Sequence, residues 1–311
     1  MPQPLKPPAL RPGDGIRVLS LASPVQEDRV RAGCDELGRL GFAAKLDSGS
    51  VLAKDGYFAG TSASRLAALN EAFADPGARA VFCSRGGYGS NYLLDGLQPA
   101  PASPKILLGA SDISSVEIFL WQKCGWVTFY GPMVATNLDR GAGSPHGYDR
   151  ASLFSALTQT KQGWELELQG EPLAGGNCEG RLLGGCLTLV ESTLGTPWEL
   201  DTTGAILVLE DRGMKPYQVD RALMHLQQAG KLRGVAGVIL GDFPECEAPA
   251  GGETARDVAR RIFGPLGVPI IWGAPVGHTS RPMLTLPLGV HAELSSAGTG
   301  VLRILEPACT P

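Results

Sequence analysis

The sequence lacks the features of membrane-spanning, exported and nucleic-acid-binding proteins. Its 311 residues contain no run near the roughly 18 apolar residues that a spanning helix needs. Lys and Arg number 27 against 31 Asp and Glu, with no basic cluster, so neither nucleic acid nor membrane is expected as a partner. Prolines interrupt the first 12 residues, where a signal peptide needs a continuous apolar stretch, so no export signal is expected.

Cysteine is sparse and shows no pairing pattern. The seven cysteines are an odd number at wide spacings, with no Cys-x-x-Cys and no Cys/His set of metal-binding type. This usage predicts reduced thiols and a cytoplasmic protein without a metal site.

The remaining composition is that of a globular α/β protein. With 43% hydrophobic and 19% charged residues, the chain is not disordered, collagen-like or a coiled coil. From residue 15 to 130 short apolar runs alternate with stretches of helical period, which predicts a doubly wound, mostly parallel sheet. Short strands then dominate after a turn-rich stretch. The predicted domains are an α/β domain at 1–140, a linker at 141–164, and a β-rich, barrel-like α/β domain at 165–311.

Ser111 occupies a strand-to-helix turn in the predicted first domain. It follows the small residues Gly109 and Ala110, and this arrangement resembles a nucleophile elbow, although Ile113 stands where G-x-S-x-G has glycine. The N–H of Asp112, at the start of the helix, would face negative charge developing beside the hydroxyl. The alternative is that Ser111 or Asp112 merely caps the helix.

A glycine cluster, residues 85–89, follows another predicted strand. Its backbone amides are suited to holding an anion, either as half of an oxyanion hole or as a phosphate cradle. The phosphate-binding fingerprints do not match here. A simple glycine-rich turn is the alternative.

His278 lies in a loop without regular structure, and Glu210 ends a predicted buried strand. A serine nucleophile needs a neutral imidazole base and a carboxylate that fixes the imidazole tautomer, which these two residues can supply. The alternatives are a surface or structural histidine, and a Glu210 paired with Arg212 or Arg221.

Seven groups of segments, in order along nearly the whole chain, together resemble the LD-carboxypeptidase family. These serine peptidases include muramoyltetrapeptide carboxypeptidase and the microcin C self-immunity protein. The segments are 11–16, 84–89, 109–114, 128–133, 184–187 with 194–196, 209–211 with 216–223, and 277–278 with 286–289.

The resemblance implies a catalytic triad in a cleft between the two domains. Ser111 would be the nucleophile, His278 the base and then the acid, and Glu210 the group that orients the imidazole. The N–H of Asp112 and that of Gly86 or Gly87 would form the oxyanion hole. The family is typically dimeric and uses no metal, so a homodimer without cofactors is expected.

The resemblance also implies a substrate. The expected reaction cuts the bond between an L-diamino acid and a terminal D-alanine in cytoplasmic muropeptides, during peptidoglycan recycling. Arg85 is a candidate for holding the terminal carboxylate, or else forms a structural ion pair. Tyr88 in the same loop is a further candidate for substrate binding.

Two departures from the family pattern concern the substrate side. Cys186 stands where asparagine is usual after the paired glycines, and Met214 where many members have an acidic residue. Without a basic neighbour in sequence, Cys186 is not expected to be the nucleophile.

Two other functions stay open. One is an immunity-type amidase that cuts a peptidyl or aminoacyl nucleotide and stacks aromatic side chains on adenine. Trp164 and Trp198 are available for this, but neither lies in an obvious inserted loop. The other is a non-catalytic protein that binds muropeptides or a nucleotide.

Overall fold

The fold consists of two mixed sheets with helices packed around them. The computed structural model describes residues 2–99, 103–248 and 250–311. Among these residues, no helix combines the length and apolar character that crossing a membrane requires. The strands are β1 Gly15–Leu19, β2 Ala43–Leu46, β3 Ala80–Cys83, β4 Ile106–Gly109, β5 Thr128–Tyr130, β6 Trp164–Glu167, β7 Glu171–Ala174, β8 Asn177–Cys186, β9 Ala205–Glu210, β10 Gly237–Leu240, β11 Ile270–Trp272, β12 Leu286–Leu288, β13 His291–Ser295 and β14 Val301–Ile304. The α-helices are α1 Glu27–Arg39, α2 Ser48–Val51, α3 Ser62–Ala74, α4 Ser114–Cys124, α5 Arg150–Thr158, α6 Leu187–Ser192, α7 Pro216–Gln228 and α8 Ala255–Phe263.

The first sheet confirms the predicted parallel α/β unit. Its strand order is β12-β5-β4-β3-β1-β2, with β1 to β5 parallel and β12 antiparallel at one edge. Strands β3 and β4 are buried at every position, as their unbroken apolar runs require. The Thr61 side chain accepts the N–H of Ser64 and so caps the start of α3.

The second sheet has eight strands in the order β6-β14-β13-β8-β9-β10-β11-β7. Strands β8 to β11 are parallel, and the strands outside them are antiparallel. The α/β class is therefore confirmed, but the barrel-like expectation needs correction. Over the described residues the sheet is open, because β6 and β7 remain at opposite edges.

Two short strands that the sequence pattern did not predict contain proline. Pro172 lies in β7 and Pro287 in β12, and each strand is the edge of its sheet. Proline has no N–H to donate to a neighbouring strand and is therefore tolerated at edges. Through β12, residues from the second half of the chain complete the first sheet.

Helix α4 lies between the two halves of the molecule. Eight of its residues are buried, and Ile118 and Trp121 belong to the same apolar cluster as the core of β9, α7 and α8. The N–H of Cys186, at the end of β8, donates to the Ser114 hydroxyl at 3.0 Å. The turn before α4 is therefore set against the ends of strands from the second sheet.

Candidate active site

Ser111 lies in the sharp turn that joins β4 to α4. Its φ of 60° is in the left-handed region, which a residue with a side chain adopts only when its surroundings hold it there. Its N–H donates to the Tyr130 hydroxyl at 3.1 Å. The local geometry is that of an elbow, as the small residues before Ser111 predicted.

Neither Ser111 nor Asp112 caps the helix, so that alternative is wrong. The first turn at Ser111–Ile113 and the start of α4 both lack a side-chain cap. The Asp112 carboxylate instead accepts the N–H of Ser90 at 2.7 Å, and the Ser90 hydroxyl donates to the Asp112 carbonyl at 2.6 Å. Burial raises the pKa of Asp112 despite these hydrogen bonds. The contacts tie the elbow to the end of the glycine-rich loop.

The glycine-rich loop passes close to the nucleophile candidate. A Cβ on Gly86 would lie 2.7 Å from Ser111 Cβ and 3.0 Å from its Oγ, so only glycine fits without displacement. The Gly86 carbonyl accepts the N–H of Ser23 at 3.3 Å. Within the described part of the chain, the N–H groups of Gly86 and Gly87 have no acceptor. They are therefore free to donate to an oxygen bound in the cleft.

Glu210 and His278 form a hydrogen-bonded pair. Glu210 ends β9 and is fully buried, and its Oε2 lies 2.8 Å from His278 Nδ1 and 2.8 Å from the His278 backbone nitrogen. The other oxygen, Oε1, accepts the Tyr130 hydroxyl at 2.5 Å. A Cβ on Gly277 would lie 2.2 Å from Glu210 Cδ, so glycine is required where the histidine loop passes the carboxylate.

Neither arginine that was considered as a partner of Glu210 reaches it. Arg212 pairs with Glu245 at 2.6 Å, and the Arg221 guanidinium lies over the Tyr217 ring at 5.6 Å. Both alternative pairings are therefore wrong, and the carboxylate is available to the imidazole.

The pair shifts both of its pKa values towards the charged forms. Burial alone lowers the pKa of His278, but the Glu210 carboxylate outweighs it, so the pKa lies above its ordinary value. Burial alone raises the pKa of Glu210, yet His278 and the Tyr130 hydroxyl bring it below its ordinary value. Glu210 is thus a carboxylate at neutral pH and suited to orienting an imidazole.

The loop that carries His278 is held on its far side as well. Arg281 Nη2 lies 2.5 Å from Asp242 Oδ1, and the Thr279 hydroxyl also donates to the Asp242 carboxylate. The Arg281 guanidinium bonds further to the carbonyls of Gly273 and Gln169. The loop is therefore held at His278 by Glu210 and, one to three residues later, by Asp242.

Ser111 and His278 line the same open cleft. Its walls come from both halves of the chain. Arg85, Gly86 and Gly87 line it beside Ser111 from the first half, and His278 lines it from the second half. The hydrogen bonds of the described residues include none between the Ser111 hydroxyl and the His278 ring. Such bonds are often long in ligand-free sites and tighten when substrate binds.

The two substrate-binding candidates are placed differently. Arg85 is exposed in the cleft wall, where it donates to the Pro24 carbonyl at 3.3 Å and, among the described residues, has no carboxylate partner. Tyr88 is 46% exposed and contacts the rings of Tyr57, Phe58 and Tyr92 at centroid distances of 6.0, 5.9 and 6.1 Å. It is not among the residues that line the cleft.

The structure also places the two residues that depart from the family pattern and the two tryptophans considered for stacking on adenine. Cys186 is 3% exposed, and burial raises the pKa of its thiol, which disfavours the thiolate that a nucleophile needs. Met214 Sδ lies 3.9 Å from the Thr188 hydroxyl. Trp198 packs edge-on against Phe119 at 5.5 Å, and Trp164 begins the edge strand β6.

Tyr130 is the residue that the sequence did not single out. It lies in the 128–133 segment, but as the last residue of a buried strand it matches an ordinary core position. The only signal in the sequence was its position at the end of a strand. Glu210 also ends a strand, and Ser111 lies just after one. The Tyr130 hydroxyl joins the two of them.

Comparison with known proteins shows which family the two halves of the chain match. Models of the LD-carboxypeptidase N-terminal and C-terminal domains match residues 16–131 and 179–294. A probable murein peptide carboxypeptidase of Bacillus subtilis is 36% identical over 298 residues, covering 94% of this chain and 92% of that protein. The muramoyltetrapeptide carboxypeptidase structure from Oxalobacter formigenes is 27% identical, with a TM-score of 0.83, and the match covers 95% of this chain and 100% of that chain. The structure of an inactive mutant of the microcin C7 self-immunity protein MccF of Escherichia coli, in its apo state, is also similar. Its sequence is 25% identical, the TM-score is 0.87, and the match covers 98% of this chain and 99% of that chain.

Proposed function

The chain belongs to the LD-carboxypeptidase family, and from this premise we propose that it is a serine peptidase acting on cytoplasmic muropeptides. The bond cut joins the L-centre of a diamino acid to a terminal D-alanine, a reaction of peptidoglycan recycling. The observation that carries the proposal is the fully buried Glu210, hydrogen-bonded to His278 in the wall of the cleft that Ser111 also lines.

In the proposed mechanism, Ser111 Oγ attacks the carbonyl carbon of the scissile bond while its proton passes to His278 Nε2. Glu210 accepts the Nδ1–H of the imidazole and stabilises the imidazolium that forms. The tetrahedral intermediate expels D-alanine, whose amine takes the proton from His278. Water, deprotonated in turn by His278, hydrolyses the ester and frees Ser111.

Backbone N–H groups would hold the oxyanion of each tetrahedral intermediate. Asp112 contributes one from the first turn of its helix, where no intrahelical acceptor is available. Gly86 or Gly87 contributes the other from the facing loop. Two such donors aimed at the developing charge are a large part of catalysis in acyl transfer.

The charge near the cleft favours a substrate that carries carboxylates. Arg85 is proposed to pair with the terminal carboxylate, since a guanidinium holds a carboxylate through two hydrogen bonds. A recess adjoining the cleft shares Arg85 and contains three further arginines. Among the described residues, two carboxylates form ion pairs with these arginines. The recess arginines are Arg29, Arg85, Arg140 and Arg212, and the two carboxylates are Asp139 and Glu245.

An immunity-type amidase is the second candidate, supported by the close overall match to MccF. That reaction needs an aromatic side chain free to stack on adenine. Trp198 is already packed against Phe119, and neither it nor Trp164 lines the cleft. The muropeptide reaction is therefore preferred.

Location and assembly also belong to the proposal. All seven cysteines are unpaired, which supports a reducing compartment such as the cytoplasm. A homodimer is proposed from family membership alone. Sedimentation of the purified protein at micromolar concentration tests it, and a single species of 32.6 kDa would contradict it.

The decisive experiment compares the wild type with Ser111→Ala on a muropeptide tetrapeptide that ends in a diamino acid and D-alanine. We expect release of D-alanine by the wild type and a loss of at least about 10⁴-fold in kcat in the variant. Ser115→Ala is the matched control and should retain activity, because it removes a nearby buried hydroxyl that has no hydrogen-bond partner among the described residues.

The same proteins incubated with an aminoacyl sulfamoyl adenosine test the second candidate. Cleavage of the nucleotide conjugate but not of the tetrapeptide would favour the immunity-type reaction. Binding of the tetrapeptide without any cleavage would favour a non-catalytic binding protein.

A further inference from the structure

Tyr130 is fully buried at the end of β5, and its hydroxyl lies between the two halves of the site. It accepts the Ser111 N–H at 3.1 Å and reaches Glu210 Oε1 at 2.5 Å. Ser111 belongs to the turn after the first sheet's β4, whereas Glu210 ends β9 of the second sheet. One phenol oxygen therefore contacts the backbone of the nucleophile candidate and the carboxylate that binds His278.

The hydrogen-bond chemistry fixes the direction of this chain of contacts. A backbone N–H can only donate, so the phenol oxygen must accept from Ser111. The phenol has one proton, and an ionised Glu210 can only accept, so that proton lies towards Oε1. Burial raises the pKa of Tyr130 well above its ordinary value, so the phenol stays protonated.

We propose that Tyr130 is a positioning residue that couples the Ser111 turn to the Glu210–His278 pair across the junction of the two sheets. The inference rests on the proposed function of that site. The phenol neutralises part of the charge on Glu210 Oε1 and leaves Oε2 for His278. It also gives the Ser111 N–H an acceptor, which helps to hold the left-handed turn.

Removing only the hydroxyl affects both contacts at once. In Tyr130→Phe the ring still fills its site, but Oε1 loses its donor and the Ser111 N–H loses its acceptor. The carboxylate, with one donor fewer, attracts the imidazolium more strongly, so the pKa of His278 rises. Asp211, Arg212 and Glu245 also act on His278 through their charges, and the substitution leaves them in place.

The test measures kcat, KM and the pH dependence of kcat/KM for Tyr130→Phe. We expect kcat to fall about 10- to 100-fold, as for the loss of hydrogen bonds to a charged group, with KM changed by less than about threefold. The acid limb of kcat/KM should move to higher pH, because more of His278 is protonated at a given pH.

Tyr148→Phe is the matched control. Tyr148 is also fully buried, and its hydroxyl donates to Glu36 Oε1 at 2.7 Å, but neither of these side chains lines the cleft. The control should lose a similar amount of thermal stability and keep the wild-type pH profile. If both variants lose activity equally with unchanged acid limbs, Tyr130 has only a structural role and the proposal is wrong.

A second measurement separates this proposal from the proposed function. Titration of the His278 ring by NMR, assigned with His278→Gln, reports its pKa without any substrate. A higher pKa in Tyr130→Phe than in the wild type and Tyr148→Phe supports the coupling even if no D-alanine is released. Identical titration in all three proteins overturns it even if the enzyme is active.

Discussion

The two walls of the cleft are constructed by different means. In the wall from the first sheet, the Ser111 hydroxyl and the backbone amides are positioned mainly by sterics, since Ser111 has a left-handed φ and a Cβ on Gly86 would clash with it. The wall from the second sheet positions a titratable group through charge, with three donors on Glu210. A hydroxyl and backbone amides need only correct geometry, whereas a histidine base also needs a partner that sets its tautomer and pKa. The first wall should therefore be sensitive to volume and the second to charge.

Among the substitutions that compare the two walls, the largest expected effect comes from removing charge in the second wall. Glu210→Gln should lower kcat by about 10²–10⁴-fold, because the imidazole loses the group that orients it. The carboxylate raises the pKa of His278, so the acid limb of kcat/KM lies above the ordinary histidine value of about 6.5 in the wild type and moves to lower pH in the variant. Rate measurements from pH 5 to 9 test both statements.

Glu306→Gln is the control for that substitution. Glu306 also accepts several hydrogen bonds, from Lys6, Arg181 and the His291 N–H, but it does not line the cleft. Its loss should reduce stability and leave the acid limb unchanged. Activity of Glu210→Gln within about tenfold of the wild type would mean that another group orients His278.

Added volume in the first wall should have an intermediate effect. Gly86→Ala places a methyl group 2.7 Å from Ser111 Cβ and 3.3 Å from the Ala110 carbonyl, so the loop must move. We expect kcat to fall about 10²-fold, comparable to the loss of one oxyanion donor, with the acid limb unchanged.

Gly38→Ala provides the comparison for added volume elsewhere. A Cβ there meets nothing within 4 Å in helix α1, so the variant should be fully active and more stable by about 0.5–1 kcal/mol. A shifted acid limb in Gly86→Ala would show that the two walls are not separately sensitive to volume and charge.

The smallest effect is expected from the support of the His278 loop. Arg281→Gln weakens the contacts to Asp242, Gly273 and Gln169, three positions beyond the imidazole. Glu210 still holds the ring, so kcat should fall only about tenfold. Arg256→Gln, which removes an exposed ion pair with Glu171, should leave kcat unchanged. Equal kinetics for the two variants would exclude a role for the Asp242 contacts in positioning His278.

Most of the regular structure was predictable from local patterns. The apolar runs and helical periods of the sequence predict a strand at 80–83 and helices at 61–74 and 253–263. Strand β3 and helices α3 and α8 lie within two residues of these bounds, because buried apolar runs and capping signals act over short distances. Strands β7 and β12 were missed because proline and very short length resemble a loop. Each becomes a strand only because an edge position in the assembled sheet accepts it.

The site was predictable as a set of residues but not as an arrangement. Ser111 and Glu210 stood out by their positions at strand ends, and His278 by its position in a loop without regular structure. The sequence left open whether Glu210 faces His278 or an arginine, and it gave no reason to separate Tyr130 from the core. Both matters depend on which side chains packing brings together.

The sequence by itself determined the α/β class, the turn before helix α4 and the glycines that allow close approach, because these follow from interactions between near neighbours in the chain. The tertiary structure decided that Glu210 meets His278, 68 positions later, and Tyr130, 80 positions earlier. It also decided the pKa values of the pair, because burial and opposing charge arise only when the two sheets come together. The reactivity proposed for this protein is thus a property of the junction between its halves.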